Sequence, residues 1–166
     1  MVTERVAPET TPDQAYALYV PSSYSPRSPA PILYLLDARG RAMLPLERFR
    51  PAAERLGWLL ASSWTSVSDG PFQPNLDALR AMWRDTHEKL AVADGRAYAA
   101  GFSGTARAAV TLAMLAPGSL AGVISSGAGF PAGTDPEGDL PFAYFAAIGT
   151  RDFNYWEVLD LDEELD

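Results

Sequence analysis

The chain has 166 residues, 48% of them hydrophobic and 20% charged, with 14 prolines and 13 glycines dividing it into many short elements. That length suits one domain burying roughly two-thirds of the surface its unfolded form exposes, and the composition is too apolar for a disordered chain. A formal charge of -8 repels phosphate backbones and anionic lipid, so neither nucleic acid nor a membrane is an expected partner, and the absence of cysteine excludes disulfides and thiolate metal sites.

The opening residues MVTERVAPETTPDQ contain no apolar core of a secretory signal, and no stretch approaches the roughly 20 apolar residues of a membrane span. A soluble protein is expected, with cytoplasm as the default location. Strand-length apolar runs are predicted at Tyr16 to Val20, Ile32 to Leu36, Trp58 to Ala61, Ala97 to Phe102, Gly122 to Ile124 and Phe142 to Ile148. The first of these precedes the proline-rich PSSYSPRSPAP, too short to carry a helical crossover, and is expected at an edge or antiparallel. The others read as buried.

Between the strands the apolar period becomes helical. Pro45 to Leu56 is predicted as a helix stopped by Gly57, Asn75 to Val92 as a helix capped by Asn75 and ending near Gly95, and Thr105 to Leu115 as a third helix closed by Pro117 and Gly118. A last amphipathic segment, YWEVLDLDEEL, is expected to turn Trp156, Leu159 and Leu165 inward. The alternation predicts a single α/β domain over residues 1 to 166, a three-layer sandwich around a mostly parallel sheet.

The stretch AYAAGFSGTARAAV passes directly from strand to helix at Ser103. Such a turn can build a nucleophile elbow, which holds a serine in a strained backbone and demands small neighbours two residues to either side. Gly101 meets that demand, whereas the branched Thr105 is expected to crowd the corner. The alternative is that Ser103 simply caps the helix. The one histidine, His87, falls late in the second helix, towards the opposite end of the strand that delivers Ser103, and cannot be its base. Trp64, Phe72 and Phe130 fall in loops at the carboxyl ends of strands, where open sheets bind ligands, and are candidate pocket walls.

The segments YALYVPSSY, PILYLLDARG, AYAAGFSGTAR, GVISSGAGFP and FAYFAAIGTRDFNYWEV resemble, in this order, the α/β-hydrolase superfamily, nearest its esterase, polyhydroxybutyrate depolymerase-like and peptidase-like branch, over about Gln14 to Val158. The resemblance implies a serine hydrolase acting on a small-molecule ester or related acyl bond without a cofactor or metal. Ser103 would be the nucleophile and Asp152, in GTRD, the acid that orients a histidine, with capping of the next helix as the competing role for Asp152. The oxyanion hole would take the N–H of Gly104 and one from Ala38 or Arg39.

Asp37 would be a turn residue, and Arg39 and Arg41 solvated charges. A complete relative would continue past Asp152 to a further helix, a strand and a histidine-bearing loop. The chain is therefore expected to match the first two-thirds or so of such a domain, without its last strand and helix, and to self-associate through an apolar edge beside Phe142 to Ile148. A catalytically silent relative that binds or scaffolds is the rival expectation.

No other chemistry is supported. SSGAGFPAG lacks the helix start of a dinucleotide site, DLDEELD lacks the glycine turn of a calcium loop, and one histidine without cysteine does not suit zinc.

Overall fold

The computed structural model describes residues 1–134 and 140–165, with the side chains of 162–164 left aside. Seven strands form one sheet: β1 (Val2–Val6), β2 (Tyr16–Tyr19), β3 (Ala30–Leu36), β4 (Leu59–Ser63), β5 (Val92–Phe102), β6 (Gly122–Ser126) and β7 (Ala143–Ala147). Their order across the sheet is β1-β2-β4-β3-β5-β6-β7. The pairings from β4 through β3, β5 and β6 to β7 are parallel; β2 runs antiparallel to both β1 and β4.

The expected antiparallel strand is therefore found at β2, but it is not an edge. That place belongs to β1, which sequence reading missed because VTERV is only half-buried and carries two charges. Residues 30 to 36 are buried throughout, as a strand covered on both faces must be. At the other edge, β7 alternates exposed and half-buried positions, with Phe145 62% exposed, so the expectation that this strand is buried fails.

Four helices complete the layers. On one face α1 (Met43–Leu56) packs Leu46 and Ala53 against Leu33, Leu35 and Leu60. On the other, α2 (Gln73–Lys89), α3 (Gly104–Leu115) and α4 (Tyr155–Leu165) enclose a larger core around Ile32, Tyr34, Met82, Val110 and Val123. Gly57 ends α1 in the left-handed conformation, φ 71°, as its position in the sequence implies.

Three expectations about the helices are corrected. Asn75 does not cap α2. It is buried in the first turn and holds the preceding loop, accepting the Val67 N–H and donating to the Val67 carbonyl, both at 2.8 Å. The helix stops at Lys89 rather than Val92, because Val92 already starts β5; Gly95, φ 65°, lies inside that strand, where the register to β3 shifts. In α4 the inward stripe is Val158, Leu161 and Leu165, continued by Asn154 just before the helix, and Trp156 is 71% exposed. The helix begins at Tyr155, as expected, but packs through Val158 and Leu161, which puts Trp156 on the solvent side and leaves Leu159 half-buried.

A buried polar cluster joins α2 to the sheet. Tyr16 donates to Asp85 at 2.6 Å, Tyr34 Oη and Thr86 Oγ1 lie 2.8 Å apart, and Lys89 pairs with Asp85 at 2.7 Å. Burial, with the Asp85 carboxylate beside it, pushes the Tyr16 phenol well above its ordinary range. Among the described residues no helix is long and apolar enough to cross a membrane.

Candidate active site

The order of strand addition reverses about β3: the connection through α1 leads to β4 on one side, and the one through α2 returns to β5 on the other. Crevices open at the carboxyl ends of strands at such a switch point. Ser103 stands there, between the last residue of β5 and the first of α3.

Its backbone has φ 58° and ψ −129°, and apart from Asp69 it is the one non-glycine residue with positive φ among the described residues. These angles are near the mirror image of polyproline II, a region that glycine populates freely and L-residues avoid. The Ser103 side chain caps nothing, which removes the helix-cap alternative. Its N–H donates to the Ser126 carbonyl at 2.8 Å, while the N–H groups of Ala106 and Arg107 both turn towards its carbonyl. Strand and helix thus hold the strained residue from both sides. Ser103→Gly should therefore raise the unfolding free energy by about 1–2 kcal/mol while removing the hydroxyl, checked by urea denaturation.

The neighbours explain how the turn closes. A Cβ on Gly101 would lie 2.4 Å from the Ala106 nitrogen, so only glycine fits. Thr105 was expected to crowd the corner, but it is fully buried and points its hydroxyl into the turn, accepting the Phe102 N–H at 2.9 Å. Gly104 opens α3 with a Cβ direction facing Ser68 Oγ at 3.2 Å.

The loop after β3 is built around Asp37, which is only 6% exposed. Its carboxylate accepts the N–H groups of Arg39 at 2.9 Å and Arg41 at 3.1 Å, and a two-pronged contact from the Arg41 guanidinium, both prongs 2.9 Å. Burial alone would raise the Asp37 carboxyl; the Arg41 side chain and the two N–H donors outweigh it and hold the group below its ordinary range. Arg41 is therefore a structural partner rather than a free solvated charge, whereas Arg39 is exposed. Of the two sequence candidates for the second oxyanion donor, the Arg39 N–H is committed to Asp37. The Ala38 N–H has no acceptor among the described residues, and its carbonyl accepts from Ser68 at 2.9 Å.

Asp152 follows β7 in a turn leading to α4. One carboxylate oxygen accepts the Asn154 N–H at 3.0 Å; the other faces Gly127, lying 3.6 Å from where a Cβ on that glycine would stand. Gly127 directly follows Ser126, whose carbonyl binds the Ser103 N–H, so Asp152 and Ser103 share one end of the sheet. Asn154, whose carbonyl accepts the Val158 N–H, stands in the cap position of α4, so the bond from Asp152 closes the turn ahead of the helix and does not cap it. Arg107 on α3 grips Glu157 on α4 with two contacts of 2.7 Å, and Glu157 also accepts the Gly129 N–H at 3.0 Å. This brace ties the helix after Ser103 to the helix after Asp152.

A cleft of about 840 Å³, lined by Ala38, Arg39, Trp64, Ser66, Asp69 and Ser103, contains the serine. Trp64 is fixed there by its indole N–H on the Glu4 carbonyl, 2.8 Å away. Phe72 lines neighbouring clefts with Arg107 instead, and Phe130, 7% exposed, packs edge-on against Tyr144. The three aromatics expected as pocket walls are thus not gathered in one pocket. Phe102, which the sequence reading passed over, is 52% exposed and borders both the serine cleft and an apolar one beside α1 lined by Leu35, Leu44, Pro45 and Phe49. Its signal was its place between Gly101 and Ser103, where an elbow turns a side chain outward.

His87 is elsewhere, as the strand polarity implied. Its ring stacks on Trp83, its Nδ1 lies 2.8 Å from the Trp83 carbonyl, and it reaches Tyr34. Tyr34 is in register with Ala99, about 13 Å of extended strand before Ser103. No cluster of three or more histidine, aspartate or glutamate side chains placed to hold a metal ion occurs among the described residues.

The sheet order, the strained serine between β5 and α3, and helices on both faces are those of the α/β-hydrolase fold. Solved structures share it: a feruloyl esterase module from Clostridium thermocellum, complexed with sinapinate, superposes with a TM-score of 0.77 at 14% identity, covering 99% of this chain and 72% of that one. The S-formylglutathione hydrolase of Staphylococcus aureus gives 0.72 at 13% identity, over 99% and 82% of the two chains. A fluorophosphonate-binding serine hydrolase of the same organism gives 0.74 at 14%, over 99% and 84%. No protein-family model matches the sequence, and no curated protein matches it.

Proposed function

We propose that this chain is a serine hydrolase domain acting on ester or related acyl bonds of small molecules, with Ser103 as nucleophile. The observation that carries this reading is the strained backbone of Ser103, held at a strand-to-helix turn in an open cleft; a serine with no task would relax by becoming glycine. In the reaction Ser103 Oγ attacks the acyl carbon, and its proton passes to an imidazole. The N–H groups of Gly104 and Ala38 receive the negative charge on the carbonyl oxygen. The tetrahedral intermediate then collapses, the leaving group departs with the proton from the imidazolium, and water releases the acyl group by the same steps. Asp152 orients the imidazole and offsets its charge.

That imidazole comes from outside this sequence, because the one histidine present is held against Trp83. A short-chain p-nitrophenyl ester and a fluorophosphonate probe test the proposal. Labelling should map to Ser103, vanish in Ser103→Ala, persist in His87→Ala, and accelerate when free imidazole is added. Equal labelling of wild type and Ser103→Ala would sink it.

The placement of His87 also favours a second reading, a binding or scaffolding relative that kept the cleft and lost the chemistry. Binding and the oxyanion hole alone sustain only about 10³–10⁴-fold over water. Ser103-dependent turnover above that level would exclude the inactive reading. Self-association belongs to either reading: β7 is an edge strand among the described residues and exposes Phe145. Light scattering should show mass rising with concentration, and Phe145→Lys should suppress the rise.

A further inference from the structure

The pairing between β3 and β5 ends at Leu36 and Gly101. Beyond that pair the two chains part, β5 into the turn at Ser103 and β3 into the loop that carries Ala38. The Thr105 hydroxyl stands at the fork. It accepts the Phe102 N–H at 2.9 Å and lies 2.7 Å from the Leu36 carbonyl and 2.8 Å from the Phe102 carbonyl. A hydroxyl has one proton and two lone pairs, so this one accepts from Phe102 and shares its proton between the two carbonyls. Thr105 is fully buried, which shields these contacts from competing water.

Both carbonyls lead directly into the site. The next peptide unit after the Phe102 carbonyl begins Ser103, and Ala38 lies two residues beyond Leu36. An oxyanion hole works only when its donors are held to within about 0.5 Å of the geometry that binds the developing charge, and the two proposed donors here follow separate strands, Ala38 after β3 and Gly104 after β5. Something must set the spacing of those strand ends. We infer that Thr105 is a positioning residue: its hydroxyl clamps the ends of β3 and β5 and so sets the separation between the Ser103 turn and the Ala38 loop. It touches neither substrate nor nucleophile. A glycine at this position would leave the fork to water.

The kinetic half of the test rests on the proposed role of Ser103; the structural half does not. Amide hydrogen exchange is measured on wild type, Thr105→Val and Thr105→Ser, referenced to core amides such as Ile32 and Tyr34. Thr105→Val keeps the shape and removes the hydroxyl, and should speed exchange at Phe102 about tenfold or more relative to those core amides, as expected for one lost buried hydrogen bond. Thr105→Ser restores the oxygen and should bring the rate back to within about twofold of wild type. Should the valine variant fail to fold, Thr105→Gly, which admits water, should show the same local acceleration.

With an activated ester, Thr105→Val should lower kcat and leave KM within about twofold, with serine recovering kcat. Exchange that rises uniformly across the core, or not at all, would overturn the clamp and reduce Thr105 to ordinary packing, as would failure of serine to restore it. If wild type neither turns over ester nor labels at Ser103, the proposed chemistry fails while the exchange data still decide the clamp.

Discussion

Gly101→Ala is expected to be the most damaging single-methyl change in this protein. The added carbon would stand 2.4 Å from the Ala106 nitrogen and 2.5 Å from both Ala106 Cα and the Thr105 carbonyl carbon. All three are backbone atoms at the start of α3, so no side chain can swing aside. The strand and helix have to part, which exposes the apolar face formed by Ala106, Ala109 and Val110. Overpacking against a backbone costs about 3 kcal/mol or more, a large share of the stability of a domain this size. Urea denaturation should show the midpoint falling sharply or soluble protein lost altogether, and the fluorophosphonate adduct at Ser103 should disappear with it. The matched control is Gly118→Ala, where nothing lies within 4 Å of the added Cβ and only the left-handed backbone is strained; a loss of about 1 kcal/mol is expected there. Similar losses at the two positions would mean that the tight elbow is wrong.

Asp37→Asn should have the second largest effect and should change how the protein responds to acid. Asparagine keeps one oxygen for the Arg39 and Arg41 N–H groups but turns an N–H₂ towards the Arg41 guanidinium, replacing an ion pair with facing donors. Because Asp37 is buried while Arg41 is half in solvent, the cost is set at about 2–3 kcal/mol, below that of breaking a fully buried pair. Arg41→Ala leaves the carboxylate its two backbone donors and should cost less than Asp37→Asn.

The sign of the pH dependence follows from the direction of the Asp37 shift. The folded state holds this carboxyl below its ordinary range, so the stabilisation is complete above about pH 5 and is lost as pH falls below about 4. The difference in stability between wild type and Asp37→Asn should therefore be full at neutral pH and shrink towards zero in acid. A difference that stays constant from pH 7 to pH 3 would show that the carboxylate charge contributes nothing. Since this loop presents the Ala38 N–H, acid should also weaken Ser103 labelling before the domain unfolds.

Much of the architecture was legible in the linear order of residues. Continuous apolar runs such as PILYLL leave no polar face and so require a strand covered on both sides, and the small residues of GFSGTA mark where a strand meets a helix at close range. The backbone angles of Ser103 and the fit at Gly101 follow from that local pattern. The strand β1 was not legible, because a half-exposed edge carrying charges has no distinctive period. Nor was the facing of α4: Trp156 with Leu159 and Val158 with Leu161 are both apolar pairs at helical spacing, and only packing against the sheet selects the second, leaving Trp156 about 200° round the helix from Val158.

The sequence alone determined the kind of sheet, the turn that carries Ser103 and the placement of His87 away from that turn, because each depends on short-range sterics or on strand polarity along the chain. Only the tertiary structure showed that the Arg39 N–H is bound to the buried Asp37, the observation on which the proposal of Ala38 as oxyanion donor rests. It alone showed that Thr105 joins two strand ends instead of crowding them, and that Arg107 and Glu157, distant in sequence, brace the helices following Ser103 and Asp152. Contacts of that kind leave no periodic trace in a single chain: a hydrogen bond depends on where two atoms meet in space, and a residue's type states only that it is able to make one.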